Sequence, residues 1–187
     1  QTFGSRHCPP GMWFTAGNHE DFEALQRLAT ASRAPTFPVD HYAMVNAIQD
    51  GKVAEFECGL RVAAVWGVDG EGANRRTNLP ARGYIRARAV DELLADRFDV
   101  LLTHDAPKDG KRFGYGSDLL ANLIDLAKPK FAFFGHYKGD GARSPHDFGE
   151  TEVYHMAGFE LRTRDGTPEA GSVGVLERMN GDWRFDY

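Results

Sequence analysis

Three short apolar runs in this sequence each end on side chains able to ligate a metal or move a proton. Phe14-Thr15-Ala16 leads into Gly17-Asn18-His19-Glu20, Leu101-Leu102-Thr103 into His104-Asp105, and Phe133-Phe134 into Gly135-His136. Where such runs are buried strands of an α/β sheet, their carboxyl ends converge on one crevice, and ligands bind there. Neutral imidazoles and an amide oxygen delivered from separate strands can meet around one divalent cation. The glycines before Asn18 and His136 would permit a sharp turn that aims the next side chain inward. A lone histidine after a strand is usually a surface or capping residue. Three such strand ends in one chain, two of them with a preceding glycine, favour a shared site.

The elements that must position these residues can be read from periodicity. Residues 12–16 form an apolar run stopped by Gly17 and read as a buried strand. Residues 21–34 carry Phe22, Leu25, Leu28 and Ala29 at helical spacing. Residues 53–58 and 60–68 read as paired strands around a tight turn at Gly59, and 69–88 as a loop. Residues 90–96 have helical spacing, and 99–103 form another buried strand. The helix over 117–128 is the clearest element, with Ser117 as N-cap, an apolar face of Leu119, Leu120, Leu123, Ile124 and Ala127, and Pro129 as its stop. A buried strand at 131–134 follows. From Thr151 onward the alternation predicts three strands, with turns at Arg164-Asp165-Gly166 and Asn180-Gly181. Helices and strands alternate first and strands dominate later, which predicts an α/β fold with mixed sheets.

Composition bounds the function classes. The 187 residues suit one domain, with 42% hydrophobic and 26% charged residues, as in an ordinary globular protein. A net charge of −5 argues against a general nucleic-acid or anionic-membrane binder. It leaves room for a local basic groove: Arg75, Arg76, Arg82, Arg86 and Arg88 lie near Tyr84, and guanidinium forks with an aromatic face suit a phosphate and a nucleobase. The competing expectation is that these arginines are solvated or paired with carboxylates. No apolar stretch reaches the length of a membrane span and no signal-peptide pattern opens the chain, so the expected location is cytoplasmic, without a membrane partner. The chain opens on Gln1 rather than Met, which leaves any preceding address segment outside this reading. Cys8 and Cys58 are too few for a disulfide framework and are expected to be reduced thiols behaving as small buried hydrophobes.

The ordered set Gly17-Asn18-His19-Glu20, His104 and Gly135-His136 resembles the calcineurin-like metallophosphoesterase family, whose members share the signature DxH, GDxxD, GNH(D/E), H, GHxH. The resemblance covers nearly the whole chain, and GNHE is its most specific piece. The stretch from Thr103-His104-Asp105-Ala106-Pro107 to Gly135-His136 also looks like the corresponding region of RNA lariat debranching enzymes. The family likeness implies two mixed β-sheets packed as a sandwich flanked by helices. It implies divalent metal ions (Mn, Fe or Zn, one or two per site) and hydrolysis of a phosphomonoester or phosphodiester by metal-activated water. Asn18, His104 and His136 match ligands of the second metal. His19 matches the residue that contacts phosphate and protonates the leaving oxygen, a role open to an imidazole of pKa about 6.5. Glu20 is expected either to orient His19 or a ligand, or to serve as an ordinary helix N-terminal carboxylate. The implied partners are a phosphorylated small molecule or a nucleotide or nucleic-acid phosphodiester.

Two departures from the signature qualify this expectation. DxH and GDxxD, which supply the first metal's ligands and the bridging Asp, have no counterpart in the sequence and would lie upstream of Gln1. The 187 residues then form a partial metallophosphoesterase domain without the first strands, inactive or feebly active as this fragment. Gly135-His136-Tyr137-Lys138 puts Lys138 where the family has the second His of GHxH. An ammonium cannot ligate a metal, so Lys138 is expected to hold a phosphate oxygen beside a mononuclear or weakly dinuclear centre. His146 or His155 is the candidate replacement ligand, against the plainer expectation that both are surface histidines. The rival reading, from a different class, is a non-catalytic binding or scaffold module on the same fold with a degenerate metal site.

Overall fold

The computed structural model describes residues 11–70, 83–109, 116–137, 146–158 and 170–186. In chain order these begin with β1 (Met12–Phe14), α1 (Phe22–Ser32), β2 (Thr36–Pro38), β3 (Val45–Ile48), β4 (Lys52–Glu55) and β5 (Arg61–Val65). Next come α2 (Ala87–Leu94), β6 (Val100–Thr103), α3 (Asp118–Ala127) and β7 (Phe131–Phe134). The described chain ends with β8 (His146–Phe148), β9 (Thr151–His155), β10 (Val175–Met179) and β11 (Asp182–Asp186).

Period-two alternation in the central strands builds two separate cores. The six-stranded sheet has the order β4-β5-β6-β7-β9-β8, parallel from β5 through β9 and antiparallel at both edges. Ala63, Val65, Leu101, Ala132, Phe134 and Val153 point to one face, where Val90 and Leu93 of α2 and Leu120, Leu123 and Ile124 of α3 cover them. Val62, Ala64, Val100, Leu102, Phe131 and Phe133 point to the other face. There they meet Ala47 and Ile48 of a three-stranded sheet, order β1-β3-β2, with Phe37, Trp66 and the β10–β11 hairpin. The result is the expected α/β sandwich of mixed sheets with flanking helices.

Helix boundaries follow from local chemistry. Asp21 caps α1 by accepting the Ala24 N–H, and Ser117 caps α3 by accepting the Leu120 N–H. Both helices end on a residue in the left-handed region, Arg33 and Lys128. Only Phe22 and Leu25 of α1 are buried; Leu28, expected on the apolar face, is exposed. Asn180 and Gly181, both at positive φ, make the two-residue turn of the β10–β11 hairpin. The turn expected at 164–166 lies outside the described residues.

Two expectations are corrected, and two strands were not foreseen. The run at 12–16 forms only the three residues of β1, and Met12 and Trp13 are exposed, because β1 is the edge of its sheet. The strands β2 and β3 were not legible as strands: Pro38 sits in β2, which tolerates proline because it too is an edge. Cys58 is exposed in the β4–β5 turn rather than buried in a core. Among the described residues, no helix is long and apolar enough to cross a membrane.

Candidate metal centre

The ends of strands from both sheets are stitched together on one side of the sandwich. Thr15 Oγ1 donates to the Val65 carbonyl at 3.1 Å, and the Gly67 N–H donates to the Ala16 carbonyl at 3.0 Å. Gly67 has φ +85°, and a Cβ there would lie 2.4 Å from the Gly83 carbonyl oxygen, so only glycine fits this crossing. On the neighbouring strands, the Gly135 N–H donates to the His104 carbonyl at 3.2 Å. These bonds bring the exits of β1, β5, β6 and β7 to one place. Asn18 arrives from the smaller sheet, whereas His104 and His136 come from adjacent parallel strands of the larger one.

The three side chains meet. Asn18 Oδ1 lies 2.9 Å from His104 Nε2, and His136 Nδ1 lies 3.0 Å from the same nitrogen. Asn18 is buried, His104 is partly buried, and His136 is exposed at the mouth. The expected roles of the two glycines separate here. A Cβ at Gly17 would stand 2.8 Å from His104 Cε1 and 2.9 Å from both ring nitrogens, so Gly17 exists to let the imidazole approach the backbone. A Cβ at Gly135 would meet nothing within 4 Å. The sharp turn is instead carried by His136 itself, at φ +65°, with the Tyr137 N–H closing onto the Gly135 carbonyl at 2.8 Å. That is the rarer, strained form of γ-turn.

The chemistry of the donors fits a divalent cation. Burial, followed by the charge of His136, holds His104 below the ordinary histidine pKa, with His19 acting in the same sense and Glu20 and Asp105 opposing. His104 is therefore a neutral imidazole at neutral pH, the form that ligates metals. An amide oxygen and two imidazole nitrogens suit one side of the coordination sphere of Mn, Fe or Zn. Among the described residues, no three or more His, Cys, Asp or Glu side chains gather to hold a metal, so the amide of Asn18 is needed to complete even a three-donor set.

The remaining candidates sort as follows. His19 is exposed, and its backbone N–H donates to Glu20 Oε2 at 3.2 Å. Glu20 thus touches the His19 backbone, while the cap of α1 is taken by Asp21. His155 is not a replacement ligand and not a surface residue: it is buried, stacked on Phe134, and its Nε2 meets the Tyr137 carbonyl at 3.0 Å. Lys138, Arg75, Arg76 and Arg82 lie outside the described residues, as does the side chain of His146. Arg86 and Arg88 pair with carboxylates, Asp50 at 2.7 Å and Glu92 at 2.9 Å respectively. Sequence reasoning passed over Asp105 and Tyr137, which bond to each other behind the centre. Asp105 was visible beside His104, but nothing in the sequence distinguishes a buried carboxylate from a loop one.

Comparison with known proteins gives a family and a fold. The family model for calcineurin-like phosphoesterases, Metallophos, matches residues 5–138. No curated protein matches the sequence. Among solved structures, the crystal structure of TT1561 of Thermus thermophilus is similar, with a TM-score of 0.51 and 19% sequence identity. That similarity covers 82% of this chain and 65% of the other, and at such identity it speaks to the fold. With most of its length matched by the family model, the chain belongs to the calcineurin-like phosphoesterase family.

Proposed function

We propose that the chain serves metal-dependent hydrolysis of a phosphomonoester or phosphodiester, with Asn18, His104 and His136 holding a cation. The observation that carries this reading is the convergence of Asn18 Oδ1 and His136 Nδ1 on His104 Nε2, at 2.9 and 3.0 Å. His104 Nε2 faces both partners and either carries a proton or offers a lone pair: with the proton it donates to two acceptors at once, and without it Nε2 and the amide oxygen face each other as acceptors. A cation satisfies all three lone pairs at once. When bound, a divalent ion neutralises phosphate oxygens and activates water for in-line attack.

The chain's own residues supply the rest. His19 adjoins Asn18 and is exposed, so its imidazole is free to approach a bound ester and to give a proton to the departing oxygen. The ester O–P bond breaks, the leaving oxygen takes that proton, and water supplies the new oxygen on phosphorus. Lys138, two residues beyond His136, is assigned to a phosphate oxygen, where an ammonium takes over part of a cation's charge. The substrate class is a phosphorylated small molecule or a nucleotide or nucleic-acid phosphodiester.

The test is release of nitrophenol from aryl phosphomonoester and phosphodiester substrates with added manganese. Slow, manganese-dependent release that His104→Ala abolishes is the expected result. Release that survives both chelation and that substitution would place the chemistry elsewhere. Tight manganese binding without release of either substrate would favour a binding or scaffold module instead.

A further inference from the structure

The strained turn at His136 needs something to hold it, and the residues behind it are bonded in a way that does so. Asp105 is 3% exposed and directly follows His104. Its Oδ2 accepts the Asp69 N–H at 2.8 Å, and its Oδ1 accepts the Ala106 N–H at 2.9 Å and the Tyr137 hydroxyl at 2.5 Å. One carboxylate thereby joins the segments leaving β5, β6 and β7. Its own carbonyl accepts the Thr103 hydroxyl at 2.8 Å, which anchors Asp105 to the end of β6.

Tyr137 is pinned at each end. Its hydroxyl is on Asp105, its carbonyl accepts from His155 Nε2 at 3.0 Å, and its N–H closes the turn over His136. The Tyr137 and His136 rings meet edge to face, 4.9 Å apart at 81°. Releasing the tyrosine ring would let His136 relax from φ +65° toward ordinary backbone and swing its Nδ1 away from His104.

We propose that Asp105, acting through the Tyr137 hydroxyl, is the positioning residue that keeps His136 in its strained turn, with Nδ1 turned to His104, and so sets the affinity of the centre for a divalent cation. This rests on the metal-centre reading above. Groups behind a ligand that fix its orientation are typically worth about 10–100-fold in metal affinity.

The test compares Tyr137→Phe with Tyr154→Phe. Both substitutions remove a tyrosine hydroxyl bonded to a carboxylate at 2.5 Å, but Tyr154 donates to Glu152, away from the His136 turn. Cobalt(II) alone is titrated into each protein, followed by calorimetry and visible absorption. Imidazole ¹⁵N spectra are recorded without metal. Tyr137→Phe is expected to weaken cobalt binding by about 10-fold or more, and to move the His104 and His136 imidazole resonances in the metal-free protein. Tyr154→Phe is expected to leave both unchanged. Wild-type affinity and unmoved resonances in Tyr137→Phe, with cobalt still bound, would overturn this proposal and leave the metal centre standing. Equal losses in the two variants would overturn it as well, by showing a general loosening. Failure of the unsubstituted chain to take up cobalt would overturn both readings.

Discussion

The exits of β6 and β7 carry His104 and His136 on backbone that is bonded at nearly every step, whereas the exit of β1 buries Asn18 and then releases His19 and Glu20 to solvent within two residues. Asp105, Tyr137, His155 and the Gly135 N–H all serve the first region. In the second, among the described residues, the side-chain support at His19 is one bond from its backbone N–H to the adjacent Glu20. The difference matches the two demands that the proposed roles make. A metal ligand must be fixed to within a fraction of an ångström, while a proton donor must reach a leaving group that differs between substrates.

The largest expected effect would break this comparison most directly. His19→Ala should lower turnover by about 10²–10⁴-fold and leave cobalt affinity unchanged, whereas His136→Ala should lower both. The His19 loss should shrink for a leaving group that is already a weak base, since such a group departs without a proton. Equal loss across leaving groups, measured as kcat over an aryl phosphate series, would make His19 a positioning residue. The two regions would then differ in bonding and exposure but not in role.

A smaller effect sharpens the contrast between the two glycines. Gly17→Ala drives a methyl to within 2.8 Å of the His104 imidazole, so the ring must move. Overpacking of this kind costs about 1–3 kcal/mol, readable from urea unfolding, and cobalt affinity should fall with it. Gly135→Ala points into open space on ordinary backbone and should stay within about 0.5 kcal/mol of the parent. If the two variants behaved alike, the close approach of His104 to the β1 exit would lose its meaning.

The smallest expected loss among the destabilising substitutions lies at the base of the proposed ligand region. Ser117→Ala removes the side-chain cap of α3, whose Oγ accepts the Leu120 N–H at 3.3 Å, and should cost about 1 kcal/mol. The Ser117 backbone bonds to Ala106 and Lys108 survive, so cobalt affinity should not change. A loss of affinity in calorimetry would mean that the site depends on helix packing as well as on the Asp105 contacts.

Much of the ligand region was legible because its signals are local. Ser117, the Leu and Ile spacing of α3 and Pro129 mark one helix, and the runs ending at Thr103 and Phe134 mark two strands bounded by chemistry-bearing residues. The three-stranded sheet was harder. Its strands have three or four residues, too few to carry a clear alternation; β1 shows Met12 and Trp13 to solvent, and β2 contains Pro38. His155 was misjudged for a related reason: an isolated histidine near the end of a short strand carries no sign that Phe134 will stack on it.

The sequence by itself determined the elements that alternation and capping specify, and it determined which residue types stand at the strand exits. Asn18, His104 and His136 are there because the chain places an apolar run before each. Only the tertiary structure decided that an exit from one sheet meets two exits from the other, through the Thr15 and Gly67 bonds that join β1 to β5. It also decided that the turn's strain falls on His136 rather than Gly135, and that Asp105 is the buried link among three loops. Periodicity records which face a side chain takes within its own element. Contacts between residues 86 positions apart, as between Asn18 and His104, depend on how separate sheets pack, and no local pattern encodes that.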